Sequence, residues 1–173
     1  MKIVKSFLFA LLAASGFSHA DLGTLTFQGT IAQQTCQVAA AQLTRTLAFD
    51  DLIDISSIQS LAIDGVAASK NFQFDVTNCP AAINDVGIRF DYQADSAHPN
   101  YMAKNASSKG DGVLLGISAK DDTIAKPSGS VIQAASISNG NATVEAKLNA
   151  YKVSQELSPG SIISQSTVTV TYN

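Results

Sequence analysis

Leu22-Gly23-Thr24-Leu25-Thr26-Phe27-Gln28-Gly29-Thr30-Ile31 alternates between apolar and polar positions. Leu25, Phe27, Gly29 and Ile31 fall on one side of an extended chain, and Thr24, Thr26, Gln28 and Thr30 on the other. This is the period of a strand, whose successive side chains point to opposite faces. The stretch lies close to the N-terminus, where segments are loose unless something ties them down. It also carries a glycine on its apolar face, which weakens a strand and marks a place of close approach. A strand on a free end needs a sheet, which its own chain or another molecule can supply.

The residues before it form a leader. Met1-Lys2-Ile3-Val4-Lys5 carries two lysines, residues 7–14 are apolar, and Ser18 and Ala20 occupy small-residue positions before a cleavage point. That order defines a secretory signal peptide over residues 1–20, and the apolar run is too short to span a bilayer. The alternative is a buried N-terminal helix. The remainder is one domain's worth of chain, long enough for a sizeable core. A formal net charge of −3 and the lack of a basic patch argue against nucleic acid. The two cysteines, Cys36 and Cys79, both follow the leader. In an oxidising compartment such a pair forms a disulfide rather than two buried free thiols.

Further alternating segments follow. Leu43–Phe49 is expected as a strand with Leu43, Leu47 and Phe49 inward. Residues 50–65 are expected as a loop with a little helix. Lys70–Cys79 is a clear strand with Phe72, Phe74 and Val76 on one face, stopped by Pro80. Its alternation puts Asn78 inward and Cys79 outward, so a twist or bulge must intervene if the cysteine is to reach the core. Val86–Tyr92 and Val113–Ala119 are strands, separated by a polar surface loop over 93–112. Residues 120–129 form a turn region, residues 130–138 a weaker strand, and Asn139-Gly140-Asn141 a hairpin turn. In 142–153, Val144, Ala146, Leu148 and Ala150 share a face, and the switch at Tyr151 and Val153 suggests a bulge or the end of a ladder. The last strand, 166–172, carries Val168, Val170 and Tyr172 on its apolar face. Seven or eight short strands with turns between them predict an antiparallel, immunoglobulin-like β-sandwich. A β-barrel is the other architecture this pattern allows.

The pattern offers little for catalysis, which needs a nucleophile with a base, tuned carboxylates or a metal. His98 is the one histidine after the leader and stands beside Pro99 without a motif. Asp50, Asp51 and Asp54, and the pair Asp121-Asp122, lack the spacing of a calcium loop and read as turn residues. No enzyme activity, cofactor or metal is expected.

The chain resembles the structural pilins of chaperone–usher fimbriae, especially the type 1 major subunit. Four features along the mature chain carry the resemblance. Residues 23–29 resemble the family's donor strand, with Gly29 seven positions before the first cysteine. Cys36 and Cys79 match its disulfide, the second closing a Phe-x-Phe-x-Val-x-Asn-Cys strand. Gly160 is fourteenth from the end and Tyr172 penultimate, as in the family. Val168-Thr169-Val170-Thr171-Tyr172 matches its terminal strand. The resemblance implies an incomplete immunoglobulin-like β-sandwich lacking its last strand, over residues 35–173, with an N-terminal donor-strand extension over 21–34. Leu25, Phe27, Gly29 and Ile31 would be the donor residues. Gly160, Val168, Val170 and Tyr172 would belong to the strand that meets the chaperone and borders the groove.

The implied partners are neighbouring pilin subunits in a homopolymer, a periplasmic chaperone and an outer-membrane usher. The implied destination is a fimbria at the cell surface, reached through the periplasm, where the subunit supports adhesion or biofilm formation. Gln33 departs from the pattern, because an apolar residue is common at that next alternate position. The other reading of these residues is a monomeric secreted immunoglobulin-like binding module, in which 24–31 would be the domain's own first strand.

Overall fold

The computed structural model describes residues 35–173. The leader and the donor segment at 21–34, with Leu25, Phe27, Gly29 and Ile31, lie outside the described residues.

Eight strands and two short helices make up this part: β1 (Gln37–Val38), α1 (Ala40–Leu43), α2 (Ile55–Gln59), β2 (Val66–Thr77), β3 (Val86–Tyr92), β4 (Val113–Ala119), β5 (Val131–Gln133), β6 (Ile137–Ser138), β7 (Asn141–Lys152) and β8 (Ser166–Tyr172). One sheet runs β1-β2-β7-β4, with β6 also paired to β7, and a second runs β5-β3-β8. Every pairing is antiparallel. The expected sandwich is therefore present. Its core gathers the inward positions of both sheets: Phe74 and Val76 from β2, Val86, Ile88 and Phe90 from β3, Leu115 and Ile117 from β4, and Val144, Ala146, Leu148 and Ala150 from β7.

Four local expectations need correction. Residues 44–49 form no strand; Ala40–Leu43 is a helical turn and the following residues are irregular. Leu43, Leu47 and Phe49 still pack on the core, as their spacing required. The strand read from Lys70 begins at Val66 and stops at Thr77, because Asn78 adopts a left-handed backbone with φ 55°. Asparagine tolerates that conformation, and it supplies the twist that turns Cys79 inward. The predicted strand over 130–138 divides into β5 and β6, which belong to different sheets. The chain crosses the sandwich between them.

The fourth correction concerns the loop at 93–112, which is not wholly superficial. Tyr101 and Met102 are buried, and Met102 bridges to Leu115 of β4. The irregularity expected at Tyr151 is present: the register shift lies across from it in β2, between Val66 and Ala68, and β7 ends at Lys152. Tyr151 faces the outer side of its sheet, where it stacks on Tyr101 with ring centroids 4.7 Å apart. Leu114 and Ala125 complete this second cluster. The expectation of polar loop chemistry missed that the loop supplies a cover for β4 and β7.

The hairpin turn and the small helix follow local rules. Asn139 and Gly140 have φ 50° and 74°, the left-handed pair that a two-residue hairpin between β6 and β7 requires. The Asp54 carboxylate accepts from the Ser56 amide at 3.2 Å and caps α2. Asp122 accepts similarly from Ile124 at 2.9 Å. These are the jobs of aspartates that a calcium reading would have needed.

Candidate functional site: an open strand edge and its groove

The direction of the backbone groups on β8 follows from its neighbour. The Phe90 amide donates to Ser130 at 3.3 Å, and the Val86 carbonyl accepts from Ala134 at 2.8 Å. These even-numbered residues of β3 therefore face β5. Gly87, Arg89 and Asp91 face β8, where they oppose Thr171, Thr169 and Thr167. The reciprocal bonds between Asp85 and Asn173, 3.1 and 3.2 Å, continue that series. In an antiparallel ladder, residues bonded on one side alternate with residues directed to the other. The amides and carbonyls of Val168, Val170 and Tyr172 thus point away from β3. Among the described residues no strand pairs with that edge.

The same three side chains are half-buried against the core. β8 therefore offers both halves of a strand-binding edge at the same residues: free backbone groups and an inward apolar row. The pattern begins earlier than β8. From Ser161 to Val168, exposed and half-buried residues alternate without a break. The carbonyls of Ser161 and Ile163 accept from Lys109 and Asn105 at 2.8 Å each. An extended ribbon over 161–172 results, anchored on one side and open on the other.

A groove of about 1220 Å³ lies along residues 161–168 of this ribbon. The end of α1 and the irregular residues after it, up to Phe49, line its opposite wall, and Phe72, Phe74, Phe90, Leu115, Ile117 and Leu148 contribute to its floor. Phe72, Phe74 and Phe90 form a cluster with ring centroids 5.9–6.1 Å apart. Arg45 lies over two of them, with its guanidinium carbon 5.3 Å from the Phe72 ring and 4.7 Å from the Phe74 ring. Its Nη2 donates to the Gln73 carbonyl at 2.7 Å. Desolvation lowers the Arg45 pKa, partly offset by Asp75. Phe74 and Phe90 are buried in the core and Phe72 is half-buried, so the cation closes the floor on the groove side.

The remaining site residues fall into place around this edge. Cys36 and Cys79 are bonded to each other, with Cα atoms 4.2 Å apart. They tie the start of β1, and with it the groove wall at 42–49, to the end of β2. Gly160 stands just before the ribbon and outside the groove. Its backbone passes against that of Gly110, where a Cβ on Gly110 would lie 2.7 Å from the Gly160 carbonyl. It therefore lets the ribbon approach the 105–110 loop. Sequence reasoning missed Arg45 and Ser164. The buried Ser164 Oγ has no hydrogen-bond partner among the described residues, and a serine in a serine-rich stretch gave no signal. Arg45 was legible only as the polar member of an alternating segment.

Comparison with curated proteins finds no match. Among solved structures, the chain is similar to the P pilus rod subunit PapA, with a TM-score of 0.63 at 14% identity over 81% of this chain and 100% of that one. It is similar to a chaperone–usher pilus structure concerned with rod uncoiling (TM-score 0.63, 17% identity, 87% of this chain and 95% of that one). A Burkholderia pseudomallei antigen and type I fimbria protein is also similar (TM-score 0.57, 18% identity, 82% and 91%). The likeness at these identities is one of fold, and the fold is that of a chaperone–usher pilus subunit. The family model described as fimbrial protein matches residues 25–173, and the chain belongs to that family. It is a structural component of a surface pilus, in agreement with the resemblance carried by its sequence.

Proposed function

We propose that the chain is a polymerising shaft subunit that assembles by donor-strand exchange. Residues 25–31 of one copy fill the groove beside β8 of the next, after a periplasmic chaperone has held the groove and an outer-membrane usher has brought the copies together. The resulting fibre supports adhesion or biofilm formation. The observation that carries this reading is the open outer edge of β8 beside an apolar groove of about 1220 Å³.

Strand addition supplies enough free energy. Burying Leu25, Phe27 and Ile31 contributes about 1.5–3 kcal/mol each before ordering costs. Each main-chain bond to β8 adds about 0.5–1.5 kcal/mol. Backbone bonds give affinity, and alternate side chains give register.

The test is Gly29→Arg in the full chain. Wild-type protein is expected to run as a ladder in detergent without heating. The variant is expected to reach the periplasm with its chaperone and stay monomeric. Variant fibres of normal length would overturn the donor reading. Wild-type protein that is a stable monomer under all conditions would favour the secreted binding module.

A further inference from the structure

We propose that the groove ends in a polar subsite, in which Ser164 of one copy receives Gln33 of the next and fixes the register of the inserted strand. This rests on the donor-strand reading above and specifies it.

Three observations converge on that pairing. The first is parity and length. The inward, outward-bonding positions of the ribbon are even-numbered, and the apolar positions of the donor segment are odd-numbered. The sheet β5-β3-β8 is antiparallel throughout, and antiparallel addition continues its ladder. Leu25–Ile31 and Ser166–Tyr172 both span seven residues. Aligned end to end, Leu25 opposes Tyr172, Phe27 opposes Val170, Gly29 opposes Val168 and Ile31 opposes Ser166. The next inward pair is Gln33 with Ser164.

The second observation is steric. Val168 pairs with Phe90 across β3, and Phe90 meets the rings of Phe72 and Phe74 at about 6 Å. Val168 therefore stands beside the aromatic cluster, and this alignment places a residue without a side chain there. A shift of two residues in either direction would put Phe27 or Ile31 there instead.

The third is polar accounting. The Ser164 Oγ is buried and unpartnered among the described residues. A buried hydroxyl without a partner is unfavourable. The donor chain departs from apolar alternation at Gln33, and this alignment brings an amide to that hydroxyl. Lys104 and Asn105 also line this part of the groove and provide further polar surroundings. A slip that puts Gln33 against Ile162 would put Ile31 against Ser164, and the polar pair rejects that register; the opposite slip would put Gln33 against Ser166 and Ile31 beside Val168, and the steric argument rejects that one.

The experiment uses the full mature chain assembled into fibres, with one added cysteine pair at a time. Directly opposed, hydrogen-bonded residues sit about 5.5 Å apart at Cα, within disulfide reach. Gln33→Cys with Ser164→Cys is expected to give a covalent ladder that survives heating without reductant. Gln33→Cys with Ile162→Cys or with Ser166→Cys is expected to give little. A dominant ladder from either shifted pair overturns the register while leaving donor-strand exchange intact. Failure of wild-type protein to form any ladder in unheated detergent overturns both.

A second measurement isolates the polar contact. Ser164→Ala leaves the Gln33 amide unpartnered and is expected to speed subunit release from the fibre about tenfold. Adding Gln33→Leu is expected to restore the wild-type rate. Equal release from wild type and Ser164→Ala overturns the polar subsite.

Discussion

The two faces that cover the β2-β7-β4 sheet are finished to different degrees. On the outer face, the loops at 93–112 and 120–129 lie over β4 and β7, and the polar groups beneath them are paired. Asn149 donates to Ser118 and to the Tyr151 hydroxyl at 2.9 Å each, and accepts from Ser69 at 2.6 Å. On the inner face, along β8, the aromatic floor is covered by Arg45, and among the described residues the Ser164 hydroxyl has no partner and the outer backbone edge of β8 has no ladder. The chain can thus close a sheet face with irregular loop. A face needs only side chains and a few well-placed hydroxyls, whereas an edge needs a strand that presents backbone groups and alternate side chains together. Residues 44–49 supply apolar side chains to the groove wall and no ladder.

The largest test of that difference is the disulfide, which serves the open side. It closes a loop of 43 residues, and its loss is expected to cost about 4 kcal/mol in the chain-entropy model. Cys36→Ser with Cys79→Ser should lower the urea midpoint accordingly. The groove wall at 42–49 follows directly from the tethered β1, so detergent-resistant assembly should fail. The near-ultraviolet circular dichroism of the Tyr101–Tyr151 stack should persist at temperatures where the variant is still folded. Loss of the tyrosine signal with assembly intact would reverse the assignment of the bridge to the open side.

Gly116 tests the closed side. It lies in β4 beneath the tyrosines, and a Cβ there would come within 2.8 Å of the Tyr151 ring, 2.9 Å of Ala125 Cβ and 3.2 Å of Tyr101. Gly116→Val should overpack this layer and cost about 1–3 kcal/mol, with an altered tyrosine circular dichroism signal. Fibres should still form below the lowered unfolding temperature. A variant of unchanged stability that no longer assembles would mean that the two faces are coupled.

The same division explains what the sequence made legible. Strands with one apolar face, such as Val86–Tyr92 and Ser166–Tyr172, were readable because alternation maps directly onto the pleat. The open edge was legible through the resemblance, and the alternation of β8 agreed with it. Leu43–Phe49 misled because alternation reports which side chains are buried and is silent on whether the backbone has a partner. The burial of Tyr151 was not legible, because covering of the second face depends on a distant loop. Arg45 and Ser164 were invisible for a related reason. One matters through the rings beneath it and the other through a bond it lacks, and both are properties of packing.

The smallest effect expected is titration of the tyrosines that fasten the loop layer. The Tyr92 hydroxyl lies 2.5 Å from the Lys126 carbonyl and 3.0 Å from that of Asn100. Tyr151 donates to the Thr123 carbonyl at 2.7 Å, and Tyr101 to the Asp64 carboxylate at 2.6 Å. Burial is the main cause that raises all three pKa values, Tyr92 to about 12, with a further contribution there from Tyr151. An unfolded tyrosine titrates near pH 10. The folded state therefore favours the neutral phenol, and its contribution to stability is complete below about pH 10. It declines as pH rises through the folded value near 12. The urea midpoint should fall across that window while phenolate absorbance grows. Because these hydroxyls fasten residues 64, 100, 123 and 126, the tyrosine circular dichroism should change before preformed fibres dissociate. Phenolate appearing near pH 10 without loss of stability would show that the loop layer is held by apolar contact alone, and the two faces would then differ in shape and not in polar closure.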